Sequence, residues 1–176
     1  MKANKIDGFT LVEIMVTIAV IGITLAFASP NIVSFIQNYR ISTQTNNLLA
    51  DLQLARNNSV SQGMRASVCA SNTGTGCSGT NWGAGRIVFI DVNGNGAVDA
   101  GTDTIVRVTE AFSSGNTLVA TNLSTAGLIQ FRPTGLASGV TGSGATFKLC
   151  DERTGAFGRT VSVSPTGRAA AAVSTC

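Results

Sequence analysis

The hydropathy pattern opens with one long apolar block that is never repeated. Residues 9–28 are uncharged except for Glu13, with Thr10, Thr17 and Thr24 as mild polar interruptions. At about 1.5 Å rise per residue this stretch spans roughly 30 Å, the thickness of a bilayer core. Past Pro30 the pattern becomes a helical stripe, with Ile32, Phe35, Ile36 and Tyr39 at i, i+3, i+4 and i+7. Leu48, Leu49, Leu52, Ala55 and Val60 continue a similar stripe, and Gly63 is a natural stop. Because periodicity resumes at once, Pro30 is expected to kink the helix rather than end it. One helix over residues 9–62 would be roughly 80 Å long. Its first half is apolar all round and suits lipid or other helices, whereas its amphipathic second half must pack on a domain.

Beyond Gly63 the period shortens to that of strands. Runs rich in β-formers fall at residues 65–69, 85–91, 104–109, 117–120, 128–132, 145–150, 159–164 and 168–173, separated by Gly, Asn and Ser turns. Residues 169–172 suit a helix as well as a strand. The spacing predicts hairpins in one or two antiparallel sheets covering the amphipathic half-helix. The expected class is α+β, a long membrane-spanning N-terminal helix packed against an antiparallel β domain. The organisation divides as 1–8 leader, 9–29 transmembrane half-helix, 30–62 amphipathic half-helix and 63–176 β domain.

The leader reading rests on Gly8-Phe9-Thr10-Leu11-Val12-Glu13. A charge at the centre of a spanning helix costs about 2.5–3.5 kcal/mol on insertion scales, so Glu13 asks for a partner. Residues 1–7 are polar, carry Lys2 and Lys5, and end at Gly8, where a peptidase could cut. Cutting there leaves Phe9 with a free amine beside the membrane. An ordinary secretory signal has its small-residue cleavage site after the apolar run, not before it. Lys2 and Lys5 place the N-terminal side in the cytoplasm and everything after Ser29 across the membrane. A permanent anchor with an accidental Gly-Phe pair is the alternative, and it leaves Glu13 unexplained.

Composition narrows the chemistry. Removing Lys2, Lys5 and Asp7 from twelve basic and nine acidic residues leaves ten and eight, a net charge of +2. That is too small to argue for nucleic acid or anionic lipid by itself. The chain has no histidine, which excludes Ser-His-Asp and Cys-His catalysis and most zinc sites. No nucleophile–base pair, metal cluster or phosphate loop is visible, so an enzyme is not expected. Four cysteines allow three pairings in an oxidising compartment, and sequence neighbours favour Cys69 with Cys77 and Cys150 with Cys176. The competing metal site lacks Cys-Xaa-Xaa-Cys spacing.

Residues 91–99 resemble the first half of a calcium loop. Asp91, Asn93, Asn95 and Asp99 stand at positions 1, 3, 5 and 9, with Gly96 at the turn. Thr102 stands where the position-12 glutamate should be, although Asp103 is adjacent. Asn-Gly pairs between β-rich runs are also the strongest hairpin signal. A structural turn is therefore preferred, with calcium as the alternative and no cofactor otherwise expected.

Together the Gly8-Phe9 leader with Glu13, the 52–63 segment, Cys69 and Cys77, the 82–91 stretch and the later Gly-Arg pairs resemble the GspH/FimT family of minor pilins and pseudopilins. The leader is common to the type IV pilin class. The likeness in the exported domain covers roughly residues 45–170. The resemblance implies cleavage after Gly8 by a prepilin peptidase, methylation of Phe9 and a single-pass protein of the bacterial inner membrane. It also implies a periplasmic β domain and assembly with other minor and major pilins or pseudopilins into a type IV pilus or a type II secretion pseudopilus. Glu13 would neutralise the N-terminal amine of a neighbouring subunit. FimT-type members are associated with DNA binding in natural transformation through a Gly-Arg-Xaa-Arg motif. Here Gly158-Arg159 and Gly167-Arg168 each lack the second arginine. Around them Arg132, Lys148, Arg153, Arg159 and Arg168 face Asp151 and Glu152, a local net of +3. These arginines suit either a DNA contact or solvated strand edges that discourage aggregation. A structural subunit that starts or caps a filament is the expected function, with a DNA-uptake subunit as the alternative.

Overall fold

The computed structural model of the chain describes residues 8–112, 115–124 and 127–176, without the side chains of residues 27–31. Two compact units divide it, one up to Asn38 and the other Tyr39–Cys176. A single helix, α1 (Leu11–Gln62), is assigned through Pro30, which does not end it. Gly63 follows with φ +66°, the left-handed conformation that closes a helix and costs glycine nothing.

In the first unit every large apolar side chain between Leu11 and Leu25 is exposed. The interrupting threonines stay satisfied within the helix. Thr17 Oγ1 donates to the Ile14 carbonyl at 2.8 Å, and Thr24 Oγ1 donates to those of Val20 and Ile21. Their hydroxyls therefore need no water, which keeps them compatible with an apolar setting.

In the second unit the helix buries a stripe of Ile41, Gln44, Thr45, Leu48, Asp51, Leu52, Ala55 and Ser59. Two expectations need correction here. Val60 is exposed and Ser59 takes its place, because the stripe through 48, 52 and 55 reaches 59 at 3.6 residues per turn. Ile32, Phe35, Ile36 and Tyr39 are also exposed, so the buried stripe begins at Ile41.

Nine strands follow: β1 (Arg65–Ala70), β2 (Arg86–Asp91), β3 (Thr104–Thr109), β4 (Thr117–Thr121), β5 (Leu128–Phe131), β6 (Ala137–Ser138), β7 (Ala145–Cys150), β8 (Gly158–Val163) and β9 (Ala169–Ser174). They form two antiparallel sheets, in the orders β3-β2-β1-β5-β6 and β4-β7-β8-β9. The main core joins both sheets to the helix. Leu48, Leu52 and Ala55 meet Val68, Val88, Ile129 and Phe131 of one sheet and Phe147, Leu149, Val161 and Val163 of the other. Trp82, on a short 3-10 turn (Trp82–Ala84), lies edge-on to Phe147 with centroids 4.6 Å apart.

The central strands of the first sheet, β1, β2 and β5, are buried on both faces, whereas the edge strand β3 is mostly exposed. Ala66, Val68 and Ala70 of β1 pair with Ile90, Val88 and Arg86, the positions that alternate toward the main core. On the opposite face Cys69, Ile87, Phe89 and Leu128 form a second cluster with Val98 and Ile105. That outer cover explains why every residue of β2 is buried. The expected strands are present to within two residues at their ends. Ala137–Ser138 and the 3-10 turn were not expected, being too short to show a period.

Candidate functional site

At the head of the helix, Thr10 Oγ1 accepts the Glu13 backbone N–H at 3.3 Å. Thr10 and Glu13 stand in Thr-Xaa-Xaa-Glu spacing, the capping-box pattern that satisfies the first free amides of a helix. Glu13 is also the acidic residue of the first turn, where the helix dipole favours a negative charge. The Thr-Xaa-Xaa-Glu spacing is present in the sequence, but in an apolar segment a lone carboxylate also signals an ion-pair partner, and the spacing alone does not separate the two roles. Gly8 and Phe9 are exposed just before this cap, with Phe9 at 80%. Lys2 and Lys5, which set the expected orientation, lie outside the described residues.

Among the described residues no helix is long and apolar enough to cross a membrane. The apolar stretch of α1 with described side chains runs from Leu11 to Ala26, sixteen residues, against about 20 for a span. Residues 27 and 28 of the expected segment lie outside the described side chains.

A buried ion pair fastens helix to sheet in the second unit. Arg86 Nε donates to Asp51 Oδ2 at 2.5 Å, with both side chains wholly buried. Thr109 Oγ1 donates to the same oxygen at 3.1 Å, and Arg107 Nε approaches Oδ1 at 3.3 Å. Burial pushes the Arg86 pKa below the ordinary arginine value, outweighing the opposite pull of Asp51. Asp51 sits between Ala50 and Leu52 in an otherwise apolar stripe, and no pattern signal marks it as one half of a pair.

The sulfurs of Cys69 and Cys77 are bonded, as are those of Cys150 and Cys176. The first bond closes the loop that follows β1. The second joins the end of β7 to a residue just past β9. Among the described residues no group of three His, Cys, Asp or Glu side chains is gathered as for a metal.

The basic residues of the C-terminal third are dispersed. Arg153 is paired to Asp151, Nε at 2.9 Å and Nη2 at 2.5 Å from Oδ2, and its guanidinium lies 4.2 Å over the Phe157 ring. Burial alone would raise the Asp151 carboxyl, but the hydrogen bonds and charge of Arg153 hold it below the ordinary value. Arg159 lies opposite Val173 in the β8–β9 pairing, and Arg168 immediately precedes β9. Five residues of strand separate those two positions, about 17 Å. Arg159 shares a shallow groove with Ser42, Thr45 and Asn46, whereas Arg168 shares one with Gln53, Arg56 and Asn57. Arg56 was not singled out in the sequence, because it lies 112 positions from its neighbour.

Comparison with known proteins agrees with this architecture. Residues 44–167 match the family described as Type II transport protein GspH, and residues 3–29 match the Prokaryotic N-terminal methylation motif. The type IV minor pilin FimU of Pseudomonas aeruginosa (strain PAO1), in space group P21, is 24% identical with a TM-score of 0.57. That alignment covers 77% of this chain and 90% of FimU. In space group P65 the same protein gives 24% and 0.54, over 74% and 91%. The minor pseudopilin EpsH from the Type 2 Secretion System of Vibrio cholerae is 10% identical at a TM-score of 0.49, over 76% and 97%. No curated protein sequence matches the chain. At 24% identity the FimU likeness establishes the fold, and the family match extends over more than two thirds of the sequence. The chain belongs to the GspH family, with a prokaryotic N-terminal methylation motif at the head of a type IV pilin-like fold.

Proposed function

We propose that this chain is a minor pilin or pseudopilin that helps to start or cap a filament of a type IV pilus or type II secretion system. The observation that carries the reading is the pairing of a methylation motif with a helix whose apolar side chains are exposed from Leu11 to Leu25. Such a surface needs lipid in the membrane and neighbouring helices in a filament. In this reading a prepilin peptidase cuts after Gly8, Phe9 is methylated, and residues 9–28 cross the inner membrane with the β domain in the periplasm. Glu13 pairs with the terminal amine of a neighbouring subunit. In low dielectric a lone carboxylate is costly and a paired one is not, so the pair sets one axial register. The role is structural rather than enzymatic.

Mass spectrometry of the protein from its host should find methylated Phe9 as the first residue, and an intact Met1 would overturn the processing. Glu13→Ala should still insert in the membrane but fail to enter filaments. Normal incorporation of that variant would remove the charge-pair role. Co-purification with other minor subunits distinguishes the pilus from the secretion machine by which partners are retained.

A second reading, DNA binding, draws on the groove shared by Arg56 and Arg168. Two guanidinium groups on one groove could contact phosphates. A salt-dependent gel shift lost in Arg56→Ala and Arg168→Ala is expected under this reading, and no shift at low salt would end it.

A further inference from the structure

The β2–β3 connection, residues 92–103, does more than turn the chain. Asp91 at its start is wholly buried. Its Oδ2 accepts from Ser67 Oγ at 3.1 Å, Gln130 Nε2 at 2.7 Å and the Gly96 backbone N–H at 2.9 Å, so the carboxylate reaches into the loop. Its Oδ1 is buried with no hydrogen-bond partner. A carboxylate oxygen left bare in the interior is costly unless something positive meets it.

The other donors of the loop converge on one point. Asn93 Nδ2 and Asn95 Nδ2 both donate to Asp99 Oδ2, each at 2.7 Å. Asp103 is not one of these donors. Its two oxygens accept the Val92 and Asp99 backbone N–H groups at 2.9 Å each, clasping the two sides of the loop. The adjacent acid at position 13 therefore shapes the loop, and position 12 is left to the exposed Thr102. On its inner side the loop is anchored by Val98 against Phe89 and Leu128.

We infer that this loop is a calcium site, with Asp91 Oδ1, Asp99 and the side-chain oxygens of Asn93 and Asn95 as its ligands. The donor set is oxygen only and mixes carboxylates with amides, which suits a hard cation and does not require three gathered acids. Asn93 Oδ1 and Asn95 Oδ1 accept the Asn95 and Ala97 backbone N–H groups at 3.0 and 2.8 Å and each keeps a second lone pair for the cation, which takes the place of their Nδ2 groups as the partner of Asp99. Two carboxylates and no bidentate glutamate place the affinity with extracellular modules, at a Kd on the order of 10⁻⁴–10⁻³ M. The occupied site would pin the outer edge of the first sheet, where β3 is the last strand.

The test is thermal unfolding of the full chain in detergent micelles, disulfides intact, in calcium chloride, magnesium chloride or EGTA. Calcium at ten times its Kd should raise Tm by about 3–6 °C, and magnesium at the same concentration should not. Asp99→Asn, which keeps the side-chain shape, should lose the calcium response without losing the fold. Thr102→Glu, which restores the position-12 ligand, should lower the calcium Kd at least tenfold. No calcium-dependent shift at 10 mM, an equal response to magnesium, an unchanged response in Asp99→Asn, or no tightening in Thr102→Glu would each overturn the assignment.

Discussion

One helix contributes to both units, and its two ends treat apolar residues in opposite ways. Between Leu11 and Leu25 the large apolar side chains are exposed, whereas between Ile41 and Ser59 the stripe is buried together with Gln44, Thr45, Asp51 and Ser59. By apolar content the first stretch is the stronger candidate for a core. Its described side chains are nonetheless exposed, and under the proposed function lipid or other helices bury them. Fully burying one large apolar side chain is worth about 1.5–3 kcal/mol. The second stretch meets two sheets and can therefore afford polar groups that have partners: besides the Asp51 pair, Gln44 Oε1 accepts from Asn116 Nδ2 at 2.7 Å and Thr45 Oγ1 donates to the Ile41 carbonyl at 2.7 Å. Burial follows the supply of partners, not hydrophobicity alone.

The sharpest way to break this comparison is to mutate one charge at each end. Glu13→Ala should abolish filament incorporation while leaving the melting of the β domain unchanged, because Glu13 is exposed and is not one of the residues that build that domain's core. Asp51→Ala should do the reverse and destabilise the domain by about 3–5 kcal/mol, since it leaves buried Arg86 without its counter-charge. Denaturant unfolding reads this, and a companion Asp51→Leu/Arg86→Met double variant should recover most of the loss. A small effect of Asp51→Ala would mean that the pair is not the fastener proposed.

Next in size is the bond between Cys150 and Cys176, which closes a loop of 26 residues. Replacing both by serine should cost about 3 kcal/mol in chemical denaturation on the chain-entropy account. Smaller still is the exchange of roles between neighbours on the helix. Ser59 Oγ donates to the Arg56 carbonyl at 2.8 Å and lies 3.1 Å from that of Arg132. Ser59→Ala should therefore cost about 1 kcal/mol, whereas Val60→Ser, at an exposed position, should stay within about 0.5 kcal/mol.

Also small is the pH dependence of the Asp151–Arg153 pair. Its carboxyl is held below the ordinary value in the folded state. The pair's contribution is thus fully present above the unfolded value near 3.9 and is lost as pH falls through the folded value. The Tm gap between the parent and Arg153→Ala should be flat above about pH 5, close below pH 4, and correspond to about 0.5–1 kcal/mol. A gap that persists at pH 2 would assign the loss to the stacking on Phe157 instead.

Much of the architecture was legible because it is written in periods. The helix, its Gly63 stop and eight strands follow from spacing and turn residues. The remaining features lack a local signature. Asp51 finds Arg86 35 positions away, and Arg56 shares a groove with Arg168. The exchange of Ser59 for Val60 was hidden by chemistry, since an apolar residue one place off the stripe is the more tempting choice. The Thr10-Glu13 cap is present in the spacing, but one carboxylate can serve both a local cap and a distant charge, and sequence does not separate the two.

The sequence by itself determined the order of elements, the two cysteine neighbourhoods and the methylation motif, since each depends on residues close together on the chain. Tertiary structure alone decided which polar groups enter the core, that the strands divide into two sheets, and that the outer face of the first sheet is covered. Those outcomes depend on contacts between distant segments, whose energies no local pattern records. The opening apolar segment stands between the two cases. Its sequence marks it for burial, and its large apolar side chains from Leu11 to Leu25 are exposed; in the function proposed above, lipid and neighbouring helices are what cover them.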